Sequence, residues 1–551
     1  MTGAAQVWDT LRAAGVTVVF GIPGGAILPL VDALFATDID LVVTRNESAA
    51  AHAADGYART SGRVGVCLAT SGPGGTNVLT GLGTAQSDSV PLLVLVGQVP
   101  LSLIGTDAFQ GTDVFGLSLG LTKHSYRITH PNQIPGVLNE AMAVALGGRP
   151  GPVLVEIPKD VQQAAVTEVW PPAGSPRHLP RPSVLDWARA RRLLRESVRP
   201  VIYYGGGVVA SDTRESLVGL SERFAAPVVS TLMGLGAMPA SHPNFLGMLG
   251  MHGTWTANHA VSAADLLIAV GARFDDRVTG RVADFAAQAR VLQLDVDPAE
   301  IGKIVQVDAA LVGDLRHVLP RLAILAPSRR HTSWWNTIRD WQDSHPLRVP
   351  ADGSGDGIPS PAVMQALSQV LRADDVVATE VGQHQMWAAL YLPRSEPRTF
   401  ITSGGSGTMG YGFPAAIGAA RARPDSRVVV IMGDGSFQMN LQELATVAQY
   451  QVPLLMVVMN NGGHGMVRQW QDLFYQGRRH GISLANPDFV KLAASFGLAA
   501  RQAETRAELD VILADWDRDG GALLVEVRVP VTEPVFPMVA SGEPLTAVRE
   551  R

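Results

Sequence analysis

Short apolar runs without polar alternation recur along the chain, many ending at or near glycine, with helical stretches between them. The clearest cover residues 64–70, 91–97, 153–157, 201–204, 228–232, 266–270, 291–294, 376–379, 427–432, 454–459 and 523–527. Strands of this kind are buried on both faces, as in parallel sheets covered by helices. The pattern predicts an α/β protein throughout. Two polar stretches interrupt it, one proline-rich (169–182) and one rich in glycine and aspartate (350–359). They leave blocks 1–165, 185–340 and 360–530, each of ordinary domain size. The tail 531–551 lacks strong periodicity and is expected to form an arm over a site. No sequence repeat is visible.

Composition narrows the class. The 551 residues are 46% hydrophobic and 17% charged, with a net charge of −6, as in an enzyme with large cores. Nothing basic points to nucleic acid or a membrane surface. Cys67 is the only cysteine, which rules out an internal disulfide and cysteine-based metal chemistry; within an apolar run it reads as inert core. The first residues have neither a basic nor an apolar leader region, and no run of ~18 apolar residues occurs. A cytoplasmic location is the expectation.

The chemistry concentrates in the last block. The run 427–432 delivers Asp434 into the turn Gly433-Asp434-Gly435-Ser436, and the run 454–459 delivers Asn461. A carboxylate and a carboxamide at the ends of neighbouring parallel strands offer hard oxygen ligands to Mg²⁺, which commonly shares its shell with phosphates. A helix opening near Ser436 presents free N–H groups suited to phosphate. The pair reads as a magnesium-diphosphate site.

Gly433-Asp434-Gly435 and Asn461 resemble the signature of the thiamine diphosphate enzymes. That resemblance implies metal ligation by Asp434, Asn461 and the carbonyl of Gly463. It also implies that Glu47, in Val42-Val-Thr-Arg-Asn-Glu-Ser48, is the carboxylate that promotes tautomerisation of the aminopyrimidine. The helix after Glu47 and the segment Thr70-Ser-Gly-Pro-Gly-Gly-Thr-Asn77 are similar to that family too. The implied fold is three parallel sheets flanked by helices: a pyrimidine-binding domain, a Rossmann-like middle domain and a diphosphate-binding domain. The implied thiamine diphosphate residues are Pro23, Gly24, Thr70, Gly74, Asn77, Val381, Gly382, Gln383, His384, Gly407, Met409, Gly433, Asp434, Gly435, Ser436, Asn461 and Met466. Met409 is the implied apolar wedge that bends the cofactor. Active sites in this family form between subunits, so a homodimer or homotetramer is implied.

Within that family the chain resembles the acetolactate (acetohydroxyacid) synthases over nearly its whole length. The carrying segments include 20–29, 105–110, 149–159, 249–254, 271–280, 295–302, 381–387, 407–410 and 466–470. The resemblance implies decarboxylation of pyruvate and ligation to a second 2-oxoacid, giving 2-acetolactate or 2-aceto-2-hydroxybutyrate for branched-chain amino-acid synthesis. It implies FAD held by Arg149, Gly205, Gly206, Gly207, Thr231, Leu232, Met251, His252, Gly271, Arg273, Asp275, Arg277, Asp295 and Asp314. Gln110 and Lys159 become polar contacts at the neighbouring subunit's site, Trp470 becomes an aromatic wall for the acceptor, and a small regulatory subunit is a further possible partner. Asn46, Ser48, Gly462-Gly-His464 and the stretch 476–483 depart from the usual pattern around the reacting end. A specialised carboligase with another acceptor, a pyruvate oxidase-like flavoenzyme and a non-catalytic cofactor-binding paralogue therefore stand as alternatives.

Overall fold

A computed structural model describes residues 1–171, 179–349 and 356–550. Both polar stretches read as linkers fall partly outside the described residues. Three six-stranded sheets carry the chain, and every pairing within them is parallel. The first contains β1 (Val18–Gly21), β2 (Asp40–Val43), β3 (Gly65–Ala69), β4 (Leu92–Gln98), β5 (His124–Arg127) and β6 (Pro152–Pro158). The second contains β7 (Pro200–Tyr204), β8 (Val228–Ser230), β9 (Phe245–Met248), β10 (Leu266–Val270), β11 (Arg290–Asp295) and β12 (Ala309–Val312). The third contains β13 (Val376–Thr379), β14 (Phe400–Ile401), β15 (Val428–Gly433), β16 (Leu454–Asn460), β17 (Ala499–Ala503) and β18 (Leu523–Arg528).

All eleven apolar runs form strands, and seven further strands appear: β1, β2, β5, β9, β12, β14 and β17. Six of those seven are the outer strands of the three sheets. An outer strand has one partner and a more exposed face, so it need not be uniformly apolar. β17, for example, keeps only Ala503 buried.

The orders are β2-β1-β3-β4-β6-β5, β12-β11-β10-β7-β8-β9 and β14-β13-β15-β16-β18-β17. The middle order is the doubly wound dinucleotide-binding arrangement read from its far edge. The first and third orders are the same, although no sequence repeat is visible. Buried parallel strands constrain hydrophobicity rather than identity, so a shared topology leaves little trace in sequence. In open sheets of this type ligands sit beyond the carboxyl ends of the strands where the winding reverses. Here that places candidate sites beyond β1/β3, β7/β10 and β13/β15.

The first and third domains pack through equivalent helices, Glu47–Ser61 after β2 and Gly412–Ala422 after β14. Small residues let the two backbones approach symmetrically. A methyl group on Gly56 would lie 2.1 Å from the Ala415 carbonyl oxygen, and one on Gly418 would lie 1.8 Å from that of Ala53.

The tail after Pro530 lies across the middle and third domains. Val535 exchanges hydrogen bonds with the Gln469 side chain, Val539 N–H donates to Met251, and the Glu543 carbonyl accepts from Arg281. Cys67 is fully buried, and burial pushes its thiol pKa up, in line with inert core. Among the described residues no helix is long and apolar enough to cross a membrane.

Candidate active site

In the first domain one cluster gathers at the β1/β3 reversal. Glu47 opens its helix and is buried, and Asn77 Nδ2 donates to its Oε2 at 2.9 Å. Gly24 and Gly74 press on Thr70: a methyl on either would come within 2.5 or 2.8 Å of that side chain, and the one on Gly74 would stand 3.2 Å from Glu47 Oε1. The Thr70 hydroxyl accepts from Ala26 N–H at 3.3 Å, and Pro23 precedes this turn. Asn46 and Ser48 have a local explanation. The Asn46 side chain caps the helix, accepting from Ser48 N–H at 2.8 Å and from its hydroxyl at 2.7 Å. The entry strand and loop are anchored by the third domain, with Val43 N–H on the Tyr450 hydroxyl and Arg45 N–H on Glu443.

Gln110 lies near this cluster in a left-handed conformation (φ 60°), packed against Gly72 (φ 61°). Glycine adopts such a φ without cost, so any strain at the turn rests on Gln110 alone. Lys159 opens the short helix Lys159–Gln163 beyond β6.

The third domain supplies the complementary half. Val381, Gly382, Gln383 and His384 follow β13; Gly433, Asp434, Gly435 and Ser436 follow β15; Asn461 follows β16. The Ser436 hydroxyl donates to the Val381 carbonyl at 3.0 Å and ties the first two turns together. The His384 ring lies where a side chain on Gly382 or Gly433 would go, within 3 Å of either added methyl. Burial lowers the His384 pKa to about 3, so the ring is neutral. Among the described residues neither its Nε2 nor the Gln383 Oε1, both buried, has a hydrogen-bond partner. Such orphaned groups cost about 1–3 kcal/mol each and call for a ligand or water. The helix Gln383–Tyr391 has no side-chain cap, which leaves its first N–H groups free for an anion.

Asp434 is 1% exposed, and burial raises its carboxyl pKa against the pull of Asn486, whose Nδ2 donates to it at 2.7 Å. Asn461 Oδ1 accepts from Gly463 N–H at 3.1 Å and retains a second lone pair. Among the described residues no three His, Cys, Asp or Glu side chains are arranged to hold a metal ion. A cation here would rely on Asp434 together with carboxamide and carbonyl oxygens, the hard set Mg²⁺ prefers. The desolvated Asp434 carboxylate, the orphaned His384 Nε2 and the uncapped helix start fit a magnesium-diphosphate group; the Gln383 side chain is turned the other way, its Nε2 donating to Gln469 and to the Glu533 carbonyl at 2.9 Å.

The two departures in this domain are physically coupled. His464 N–H donates to the Ile482 carbonyl at 2.8 Å, and Leu484 N–H donates to that of Gly462 at 3.0 Å. A methyl on Gly463 would stand 2.1 Å from the Ile482 carbonyl oxygen, and one on Gly435 would stand 2.7 Å from the His464 ring. The slim loop is what lets the 482–484 segment lie against it. Met466 lies one turn on, packed against the third-domain core.

The residues expected around a flavin gather at the carboxyl edge of the middle sheet. A cavity of about 450 Å³ is lined by Arg273, Asp275, Arg277, Glu300 and Lys303 on one side and Gly404–Gly407 with Ser87 on the other. Gly205 and Gly207 pack on the turn after β10: a methyl on either would lie 2.7 Å from Gly271. Thr231 caps the turn Leu232–Gly234, Asp275 caps the helix Asp276–Thr279, and Asp314 caps Leu315–Leu325 while pairing with Arg316. Met251 N–H donates to the Arg277 carbonyl at 2.7 Å. His252 is buried against the Pro537 carbonyl, its pKa lowered to about 4 by burial. Burial pushes Asp295 up to about 6. Arg149 bridges domains, bound to Ser89 at 2.7 Å and to Glu300 at 2.9 Å. The doubly wound sheet suits a dinucleotide; along the cavity Arg273, Arg277 and Lys303 stand against Asp275, Asp276 and Glu300.

Several residues of this region carried no sequence signal. Asn486 reaches Asp434 from 52 positions away, and Asp88 and Glu380 hold the glycine-rich segment 404–410. Only Glu380 had a hint, lying directly before Val381-Gly382.

Three family models match in succession: the N-terminal TPP binding domain of thiamine pyrophosphate enzymes over residues 1–117, their central domain over 187–322, and their C-terminal TPP binding domain over 380–527. The chain is 47% identical to the acetolactate synthase isozyme 2 large subunit of Escherichia coli, over 98% of each chain. It is 45% identical to the acetolactate synthase large subunit of Corynebacterium glutamicum, over 98% of this chain and 89% of that one. It is 44% identical to a probable acetolactate synthase large subunit of Methanocaldococcus jannaschii, over 100% and 95% respectively.

Proposed function

Since the chain belongs to the thiamine pyrophosphate enzymes, among the acetolactate synthase large subunits, we propose that it decarboxylates pyruvate and joins the remaining two-carbon unit to a second 2-oxoacid. Pyruvate as acceptor gives 2-acetolactate; 2-oxobutyrate gives 2-aceto-2-hydroxybutyrate. The observation that carries this reading is the presence of two half-sites on sheets of the same topology: buried Glu47 with Asn77 on one, buried Asp434 with Asn461 and the orphaned His384 Nε2 on the other.

Bound thiamine diphosphate supplies the electron sink for loss of CO₂ from a 2-oxoacid. The chain supplies the rest. Asp434, Asn461 and the Gly463 carbonyl would hold Mg²⁺, and His384 with the free backbone N–H groups at the start of the helix Gln383–Tyr391 would hold the diphosphate. Glu47, fixed by Asn77, exchanges a proton with the pyrimidine end. Met409, between the tethered Thr408 and Gly410, supports the bend. Burial of Glu47 and Asp434 limits water at those two carboxylates. Trp470 and Arg277 line the acceptor's approach, the cation suiting a carboxylate.

The family resemblance supports completion of each half-site by a second copy in a homodimer or larger assembly. The doubly wound middle sheet and the cavity beside Arg273 support FAD as a further cofactor, and the relatives' "large subunit" names support a smaller regulatory partner. The full-length similarity favours acetolactate formation over an oxidase or a specialised carboligase. The test is CO₂ release from pyruvate by the purified chain with FAD supplied. Release that requires both thiamine diphosphate and Mg²⁺ is expected; no release with both present overturns the reading.

A further inference from the structure

The segment Ser403–Gly410 touches all three domains. Gly404 and Gly405 donate backbone N–H groups to Asp88 of the first domain at 3.1 and 2.6 Å. The Asp88 side chain is 0% exposed and also binds Arg59 at 2.8 Å. Ser406 donates to Ser87 at 2.8 Å, and the Thr408 and Thr84 hydroxyls meet at 2.7 Å. From the middle domain Met233 closes on Gly404, where an added methyl would stand 2.4 Å from its sulfur. At the far end Gly410 N–H donates to Glu380 at 2.7 Å. One stretch of this segment, Gly404–Gly407, is a wall of the cavity opposite Arg273, Glu300 and Lys303. The next residues are Thr408 and Met409.

We propose that this segment is a mechanical link between the two cofactor sites and that Asp88 is its positioning residue. A flavin in the cavity lies against Gly404–Gly407; Asp88 holds their backbone in register; Met409, two residues on, is thereby fixed for thiamine diphosphate. The inference rests on the cofactor reading given above. It assigns a task to a flavin in a reaction without net electron transfer: it is a wall that sets the neighbouring site. Linkage requires the effect to be reciprocal, each cofactor tightening the other by the same factor.

The test is calorimetric titration of thiamine diphosphate, with Mg²⁺ present, into the purified chain with and without saturating FAD, and the converse titration of FAD. Wild-type chain is expected to show tightening of roughly fivefold or more in both directions. In D88N both cofactors bind singly, but the ratio falls to about one. T84V, which removes the hydroxyl contact to Thr408 along with a bond to the Thr80 carbonyl one turn back in the same helix, lowers the ratio as well and decides the matter if D88N does not fold. A merely structural role for Asp88 would lower the melting temperature and leave the ratio intact. Binding of both cofactors without coupling in wild type, or coupling retained in the variants, overturns the link. Wild-type chain that binds neither cofactor overturns the cofactor reading and the link with it.

Discussion

The guanidinium carbon of Arg277 stands 5.3 Å from the centroid of the Trp470 ring, joining the middle domain to the third across the mouth of the proposed site. Phe474 meets the same indole edge-on at 6.3 Å. The wall is therefore braced on two sides, and among the described residues its buried Nε1 has no partner. An aromatic wall rewards a larger alkyl group, at about 1–3 kcal/mol per methylene. Trp470→Leu should lower the preference for 2-oxobutyrate over pyruvate as acceptor on the order of tenfold, read as the product ratio in a mixed-acceptor assay. An unchanged ratio would remove Trp470 from the specificity wall.

Glu47→Gln keeps the side-chain shape and an oxygen for Asn77 while removing the acid–base function. Turnover should fall by roughly 10²–10⁴-fold with the melting temperature nearly unchanged. Steady-state rates and thermal unfolding on the same preparation check both halves. Near-normal turnover would show that proton exchange does not depend on Glu47.

What the sequence made legible was local. Gly433-Asp434-Gly435, Asn461 and Glu47 could be read because each sits at the end of a strand, where the turn chemistry is written in consecutive residues. The buried runs were legible for the same reason. The outer strands were not, because a strand such as β17 with mostly exposed positions has no apolar signature. Nor were the supports: Asp88 meets Gly405 across 317 positions and Arg45 meets Glu443 across 398, and nothing local marks such pairs. The departures looked like changes in chemistry when read singly. In the fold, Asn46 and Ser48 form a helix cap, and Gly463 makes room for Ile482.

Burial raises the Asp434 carboxyl pKa above its ordinary range. Protons compete with the metal for this carboxylate, so Mg²⁺ affinity should begin to fall at a higher pH than for an exposed aspartate. Asn486→Ala removes the donor that favours the charged form and should move the loss of affinity to still higher pH. Mg²⁺ titrations with thiamine diphosphate at a series of pH values measure this. Identical pH profiles for the two proteins would count against the role of Asn486.

Glu380 is fully buried, and burial pushes its pKa from 4.5 to about 7, while backbone N–H groups, including those of Phe413 and Gly410, pull the other way. Between those values the folded chain holds a proton that the unfolded chain has lost. Stability therefore falls as pH rises from about 4.5 to about 7, and this contribution is flat outside that window. Glu380→Gln cannot titrate and should flatten the pH dependence of the melting temperature there. The variant also loses one acceptor for Gly410 or Phe413, so a uniformly lower melting temperature is expected alongside. A slope equal to that of wild type would show that Glu380 does not titrate in this range.

The most direct measurement is the identity of the product. The purified chain, supplied with Mg²⁺, thiamine diphosphate, FAD and pyruvate, is expected to give 2-acetolactate by mass, with 2-aceto-2-hydroxybutyrate appearing when 2-oxobutyrate is added and the flavin remaining oxidised during anaerobic turnover. Consumption of pyruvate without either product, or with rapid bleaching of the flavin, would contradict the account.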